Sequence, residues 1–301
     1  MKPAPLEYLA ACSVGEAIGV LDSDDDAKVI AGGQSLIPLL ALRLARPTIL
    51  VDINGLGLDT LSVDQVSPGT VSPDHPVLRL GALVRHRRLE LDPVVAQVAP
   101  VLTDAAALIG HPAIRNRGSI GGSVAHADPA AELPAALVAA SASVVVEGTN
   151  GPRRIAAADL FTGLFATALA ADEIILEVRV PLVTEGRGGG AFCEWAPRWG
   201  DFADAGVGVV LTVTPGGECS SVSAAAAGIG AAPVSLTEAL ASVGLVGATA
   251  LSDTLLRAVA ATVRAACAGA GEDRGTLAGL LATRAVVRAH RRATTPVASA
   301  A

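Results

Sequence analysis

The chain has 301 residues, 51% of them apolar, 17% charged and only 2% aromatic, with a formal net charge of −7. That length suits two or three domains with a sizeable core and excludes a wholly disordered chain, while a pI near 5.2 excludes a protein that grips nucleic acid through bulk positive charge. Mean hydropathy is +0.52, yet the longest apolar runs, Leu133–Val146 and Ala205–Val213, fall short of the ~18–20 residues of a spanning helix, so no transmembrane segment is expected.

Met1 to Tyr8 carries prolines and an acid where a secretion signal needs an apolar stretch. The cysteines, Cys12, Cys193, Cys219 and Cys267, lie far apart with no CxxC, zinc or iron–sulfur spacing. These features predict a cytoplasmic α/β protein with reduced thiols and no metal of its own. Val14–Leu21 sets Val14, Ala17, Ile18 and Leu21 on one helix face. Lys28–Ala31 reads as a strand running into Gly32-Gly33. Ser35 then caps a helix with Leu36, Leu39, Leu40 and Leu44 on its apolar side and Pro38 in its first turn. Thr48–Ile53 is a second strand, completing a βαβ unit.

Residues 56–73 read as a loop or hairpin and Val77–Leu83 as a strand. Leu91–Ile109 holds a long helix, stopped by His111-Pro112. Ile114–Ser123 reads as a glycine-punctuated loop, followed by a helix through Leu133–Ala140 and strands at Val144–Glu147 and Glu173–Val180. Gly186–Gly190 reads as a linker. Beyond it, strands Ala191–Ala196, Gly206–Thr214 and Ser221–Gly228 precede helices Ser235–Val243, Leu251–Ala268 and Thr276–Arg292, the order of a separate α+β domain.

Two segments could hold a ligand. In the first, a strand delivers Ala31-Gly32-Gly33-Gln34-Ser35-Leu36 to a helix start, where free N–H groups and missing side chains suit a phosphate. A GG pair alone carries nothing in so glycine-rich a chain; the strand–GG–helix context is what counts. The second, Ser119-Ile120-Gly121-Gly122-Ser123, follows Arg115, Asn116 and Arg117. Glu132, at a helix start, is either a carboxylate favoured by the helix dipole or an acceptor for ligand hydroxyls. His126 and Asp128 read as a local hydrogen bond, since a metal site needs further ligands. Two glycine segments about ninety residues apart suit one extended ligand, a dinucleotide, yet neither matches GxGxxG or GxxxxGK[ST].

Together with Lys2-Pro3-Ala4-Pro5, Leu42-Arg43-Leu44-Ala45-Arg46-Pro47, Leu50-Val51-Asp52-Ile53, Ile109-Gly110-His111-Pro112, Ala125-His126-Ala127-Asp128-Pro129-Ala130-Ala131-Glu132-Leu133-Pro134, Asp172-Glu173-Ile174-Ile175 and Gly200-Asp201-Phe202-Ala203, these segments resemble the FAD-binding medium subunit of molybdenum hydroxylases. The likeness is to the flavoproteins of aerobic carbon monoxide dehydrogenases and to the FAD part of xanthine dehydrogenases. It runs through roughly residues 1–245. It implies a vanillyl-alcohol-oxidase-like (PCMH-type) α+β fold: an FAD-binding βαβ subdomain at 1–55, an FAD-binding α+β subdomain at 56–180, a C-terminal domain of antiparallel sheet plus helices at 181–292, and a tail at 293–301.

By the same resemblance, Ala31–Leu36 and Ser119–Ser123 wrap the FAD pyrophosphate, Glu132 holds cofactor hydroxyls, and Ile175 and Cys193 lie near the flavin ring. No catalytic acid or base is implied. The chain would be an electron-transfer subunit, taking electrons from the 2Fe–2S clusters of a small subunit, beside a large molybdopterin subunit, in a dimer of heterotrimers. Arg115, Asn116 and Arg117 would either dock the iron–sulfur subunit or brace the FAD loop. The alternatives are a stand-alone FAD oxidoreductase, which would want a His or Tyr base in a chain whose only tyrosine is Tyr8, and a binding protein that has lost FAD. Two positions depart from the family pattern: Cys193, where Tyr or Lys is common, and Glu272-Asp273-Arg274-Gly275-Thr276-Leu277, in place of a His-Ala-Ser-Ala stretch.

Overall fold

The computed structural model describes residues 2–64 and 76–295. The N-terminal unit alternates strand and helix: β1 (Glu7–Ala10), α1 (Val14–Ser23), β2 (Lys28–Ile30), α2 (Leu36–Ala41) and β3 (Ile49–Asp52). Its sheet has the order β1-β3-β2, parallel throughout. Ser13 caps α1 by accepting from the Glu16 N–H at 3.1 Å, and the Glu16 carboxylate returns to the Cys12 N–H at 2.6 Å, the reciprocal logic of a capping box. The helix then buries Ala17, Ile18 and Leu21 against Val51 and Ile53.

α2 is shorter than its leucines suggest. Arg43 turns left-handed (φ 57°) just beyond it, and Leu42 and Leu44 are left exposed. Ser35 is itself in helical geometry, and its hydroxyl makes no cap bond.

The second unit runs from β4 (Leu61–Asp64) and β5 (Val77–Gly81) through α3 (His86–Leu91), α4 (Pro93–Val98), α5 (Pro100–Leu108), α6 (Pro112–Arg117), α7 (Ile120–His126) and α8 (Glu132–Ala139). There follow β6 (Ser143–Gly148), β7 (Gly151–Ala156), α9 (Ala157–Leu160), the short pair β8 (Phe161–Gly163) and β9 (Ala166–Thr167), and β10 (Ile174–Pro181). β4-β5-β10-β6-β7 form an antiparallel sheet. Half of the stretch expected to be a loop or hairpin at 56–73 lies outside the described residues; the described half includes β4.

The single helix expected at Leu91–Ile109 is two, α4 and α5, with Leu91 closing α3. Pro93 and Pro100 each open a new helix, because proline lacks the N–H that would continue the previous one. The loop expected at Ile114–Ser123 is mostly helical as well, divided into α6 and α7 at Gly118.

The third unit is a meander of β11 (Arg187–Trp195), β12 (Ala205–Val213), β13 (Cys219–Ala227) and β14 (Val234–Ser235), then α10 (Thr237–Ser242), α11 (Asp253–Ala266) and α12 (Glu272–Thr294). Both faces of its sheet are covered. Phe192, Ala225 and Ala227 pack into the core of the second unit, while Ala191, Val207, Val209, Ala224 and Ala226 pack under α10 and α12, with α11 lying on α12. A sheet squeezed from both sides needs small apolar residues on alternate positions of each face, which is what the Ala- and Gly-rich strands supply. The fold is α+β.

Gly186–Gly190 is not a linker. Gly188, Gly189 and Gly190 lie within β11, and a Cβ on Gly189 would fall 2.0 Å from the Ala289 carbonyl oxygen of α12. Glycine inside a strand here marks the close approach of another backbone. Asp104 of α5 fastens the same joint. Its carboxylate accepts from the Phe192 N–H (3.1 Å), from Arg288 (3.3 Å) and from Arg292 (2.7 and 2.9 Å). Asp104→Ala strands the Phe192 N–H and takes the carboxylate from both arginines, leaving Arg292 the Gly190 carbonyl at 2.6 Å. Because both guanidiniums are partly exposed, the expected loss is roughly 2–3 kcal/mol rather than the full cost of a buried pair. Urea unfolding measures it, with Asp104→Asn intermediate; an unchanged midpoint would contradict the role.

Candidate functional site

The two glycine segments meet face to face. A Cβ on Gly32 would lie 2.3 Å from the Arg117 carbonyl oxygen and 2.8 Å from the Gly118 Cα, so only glycine allows the first turn to touch the second segment. Gly33 takes φ +72°, the left-handed region that side chains avoid. Among the described residues, the backbone N–H groups of Gly32, Gly33, Gln34, Ser35 and Leu36 donate no hydrogen bond within the protein. Gln34 folds its amide back onto the Gly32 carbonyl at 3.1 Å, leaving its own N–H outward. A run of unspent donors at a tight turn is an anion cradle.

The second segment is built differently. Ile120 N–H donates to the Val84 carbonyl (3.0 Å), Gly121 N–H to the Ala82 carbonyl (2.8 Å), and Gly122 N–H to the Ser119 hydroxyl that caps α7 (3.3 Å). Its amides are therefore largely committed to the protein. A Cβ on Gly121 would sit 2.7 Å from that of Ala82, so this glycine serves strand packing. A Cβ on Gly122 would instead look across at Ala31, 3.9 Å away. Gly122 thus keeps the passage between the segments open, beside the Ser123 hydroxyl, and it has no left-handed backbone.

His86 holds the second segment from beneath. Its Nε2 lies 2.9 Å from the Ser119 carbonyl oxygen, its backbone N–H donates to the Gly118 carbonyl at 3.0 Å, and its Nδ1 is buried without a partner. Burial drives the imidazole down to about 4, so it is neutral near pH 7 and donates from Nε2. The missing side chain at Gly118 makes room for that ring, since a Cβ there would fall 2.7 Å from Nδ1. Arg115, expected either to dock a partner or to brace the loop, braces it. It is 4% exposed, paired with Glu90 at 2.8 and 3.1 Å, and donates to the Ile109 and Gly110 carbonyls at 3.0 Å. Asn116 and Arg117 remain exposed.

Glu132 opens α8 and is buried, with 6% of its surface exposed. Burial, reinforced by the charges of Glu194 and Asp128, pushes its carboxyl up to about 8. Burial alone lifts Glu194 to about 7, and one of its oxygens is buried without a partner. Glu194 was not singled out from the sequence. Ile175 lies buried on β10 beside a bulge, in the core shared with α7 and α8.

The structure does not bring Cys193 to this side. Its side chain sits in the core beneath α12, with Arg288 3.6 Å from its sulfur. The alternation of a strand turns Glu194 to the opposite face. A face cannot be assigned by position in a motif when a one-residue offset reverses it. His126 and Asp128 form no metal pair. His126 packs on Phe165 with ring centres 5.1 Å apart, and the Asp128 carboxylate accepts from the Ala130 N–H at 2.9 Å. Among the described residues no cluster of three or more metal-ligating side chains occurs, and no helix is long and apolar enough to cross a membrane.

Residues 4–183 match the family described as the FAD binding domain in molybdopterin dehydrogenase. The chain is 41% identical over 242 residues to the 6-hydroxypseudooxynicotine dehydrogenase complex subunit alpha of Paenarthrobacter nicotinovorans, covering 79% of this chain and 78% of that one. It is 32% identical over 300 residues to the carbon monoxide dehydrogenase medium chain of Afipia carboxidovorans, covering 97% and 99%. A chain of carbon monoxide dehydrogenase from Hydrogenophaga pseudoflava superposes with a TM-score of 0.86 at 34% identity, covering 98% of this chain and all of that one.

Proposed function

Since the chain belongs to the family of FAD-binding domains of molybdopterin dehydrogenases, we propose that its FAD lies in the cleft between the N-terminal and second units, with the pyrophosphate on the Gly32–Leu36 amides. Its fold is the vanillyl-alcohol-oxidase-like, PCMH-type FAD-binding fold, and it serves as the FAD subunit of a molybdenum-containing dehydrogenase. The single observation that carries the placement is the row of unspent N–H groups at a turn closed down onto the second glycine segment. An acidic chain can neutralise a pyrophosphate this way without spending lysines. The Ser35 and Ser123 hydroxyls add donors on either side, and Glu132 accepts from the cofactor's hydroxyls. Ile175 supplies an apolar wall. Cys193 is left out of the site, and Glu194 takes its place on the side toward α8.

When bound, FAD supplies the redox chemistry; the protein binds and orients it and sets the surrounding field. No acid–base residue is assigned. We divide the chain into FAD-binding units at 1–55 and 56–180 and a C-terminal unit at 181–292; the three larger sheets, at Glu7–Asp52, Leu61–Pro181 and Arg187–Ser235, support the division. Electrons arrive from 2Fe–2S clusters on a small subunit, beside a large molybdopterin subunit, in a dimer of heterotrimers. Two things support this assembly: relatives named as a medium chain and a complex subunit, and the lack of cluster ligands among the described residues. The free state of all four cysteines supports a reducing, cytoplasmic setting.

Acid precipitation of the purified complex is expected to release non-covalent FAD, one per chain, into a yellow supernatant. A colourless protein that cannot be reconstituted with FAD would overturn the reading. Co-expression with a cysteine-rich small subunit and a large subunit is expected to yield one complex on size exclusion. A lone monomer that reduces its flavin directly with a small substrate would instead make it a stand-alone oxidoreductase.

A further inference from the structure

A chain of hydrogen bonds outside the glycine segments ties one to the other. Asn54 follows β3, and its Nδ2 donates to the Ala31 carbonyl (2.9 Å) and to Asp52 Oδ1 (2.6 Å). Its Oδ1 accepts from Arg85 Nη2 at 2.7 Å, and Arg85 Nη1 donates to the Arg117 carbonyl at 2.6 Å. The Tyr8 hydroxyl holds the other oxygen of Asp52 at 2.5 Å. The links thus run from β1 and β3, across the cleft, to the last residue of α6. They end on the carbonyls of Ala31 and Arg117, and the second of these is the oxygen on which Gly32 packs.

Arg85 is spent in an unusual way. Arg79, Arg115, Arg153, Arg179, Arg288 and Arg292 all face carboxylates. Arg85 is half-buried, makes no ion pair among the described residues, and puts its fork on two neutral oxygens of different units. Burial and the nearby Arg117 charge lower its pKa, so its environment opposes the charge it carries. Only a planar two-pronged donor spans both acceptors at once.

We propose that Asn54 and Arg85 are positioning residues for the cofactor: they fix the distance between the Gly32–Leu36 amides and the hydroxyl-bearing start of α7, and so set FAD affinity without touching FAD. The inference rests on the FAD reading of the cleft. The carbonyls of Ala31 and Arg117 belong to separate units, and no covalent link shorter than the intervening chain relates them. Pre-forming their spacing removes a cost that binding would otherwise bear.

The test is FAD titration of the full-length apoprotein by flavin fluorescence, with thermal melting and hydrogen exchange of the same samples. Asn54→Ala and Arg85→Ala are each expected to raise the Kd about ten-fold, the scale of one lost charge-assisted bond. Their combination should weaken binding by less than the product, because one chain breaks only once. Arg85→Lys should bind less tightly than the parent, since one amine cannot replace the fork. Apoprotein Tm should change little, while the Gly118 and Ile120 amides exchange faster. Unchanged Kd in both single variants, multiplicative effects in the double, or a Kd loss matched by collapse of the Tm would each overturn the proposal. If the parent itself binds no FAD, the reading of the cleft fails on its own; slow exchange at Gly118 and Ile120 in both variants then refutes the clamp independently.

Discussion

Gly32→Ala is expected to abolish measurable FAD binding, with affinity down at least about 100-fold. The added methyl would stand 2.3 Å from the Arg117 carbonyl oxygen and 2.8 Å from the Gly118 Cα, both backbone atoms that no rotamer change can move. The turn must lift away from the second segment, and its outward amides lose their alignment. Gly33→Val acts by a second route, forcing a β-branched residue into φ +72°. Gly122→Ala is the graded control. Its Cβ meets only the Ser119 hydroxyl, at 3.0 Å, which can rotate, so the loss there is expected to be about ten-fold, on the scale of a weakened cap. Gly122→Val, which also crowds the passage toward Ala31, should fall nearer to Gly32→Ala. The ratio of flavin to protein absorbance ranks the four. Full occupancy in Gly32→Ala would show that the close approach is structural only.

Glu132→Gln is expected to help the empty protein and harm the loaded one. The Glu132 carboxyl, normally near 4.5, is held up at about 8 in the folded chain. Below about pH 4.5 folded and unfolded chains are both protonated and no penalty exists. As pH rises from there toward 8, the unfolded chain ionises while the folded one keeps its proton, so stability declines across that window and then levels off. A glutamine has no such slope. The apoprotein variant should therefore match its parent at pH 4 and exceed it at pH 8 by roughly 2–4 kcal/mol. Above about pH 8, where Glu132 ionises in the folded chain, affinity for FAD should nevertheless drop about ten-fold, because an amide oxygen accepts less strongly than a carboxylate. Such a trade between stability and binding is common where a site buries a poorly solvated group. Melting curves at pH 4, 6 and 8 with and without FAD decide it; a stability difference that stays constant with pH would sink the argument.

Much of this candidate site is legible in the sequence, and the reasons are local. The strand–Gly-Gly–helix passage at 28–41 and the Ser-Ile-Gly-Gly-Ser start of α7 are dictated by neighbours in sequence, as glycine turns and caps are. What escaped was long-range. Asn54 and Arg85 carry no pattern of their own, and their roles exist only because β3 and the β5–α3 connection converge. Cys193 was set on the wrong side because the face of β11 depends on pairing with β12. Gly188–Gly190 resembled a linker because nothing nearby announces that Ala289, about a hundred residues on, will press against it. The helix breaks at Pro93 and Pro100 are written in the sequence by the prolines themselves, against an apolar spacing that continues across both.

The glycine floor of β11 also fixes an order of events during synthesis. Residues 4–181 contain every strand partner their own three sheets require, so those units can close while the rest of the chain is still emerging, as N-terminal domains generally do. β11 cannot. The face it turns to α12 buries only Gly189, Ala191 and Cys193, and α12 at Glu272–Thr294, the last described element, is what covers them. Until that helix is made, the newborn sheet offers bare, flat backbone to any neighbour. A ribosome that pauses between 230 and 270 would hold the chain in its most vulnerable form, and a nascent-chain protease assay should find the cut sites gathered in β11 through β13.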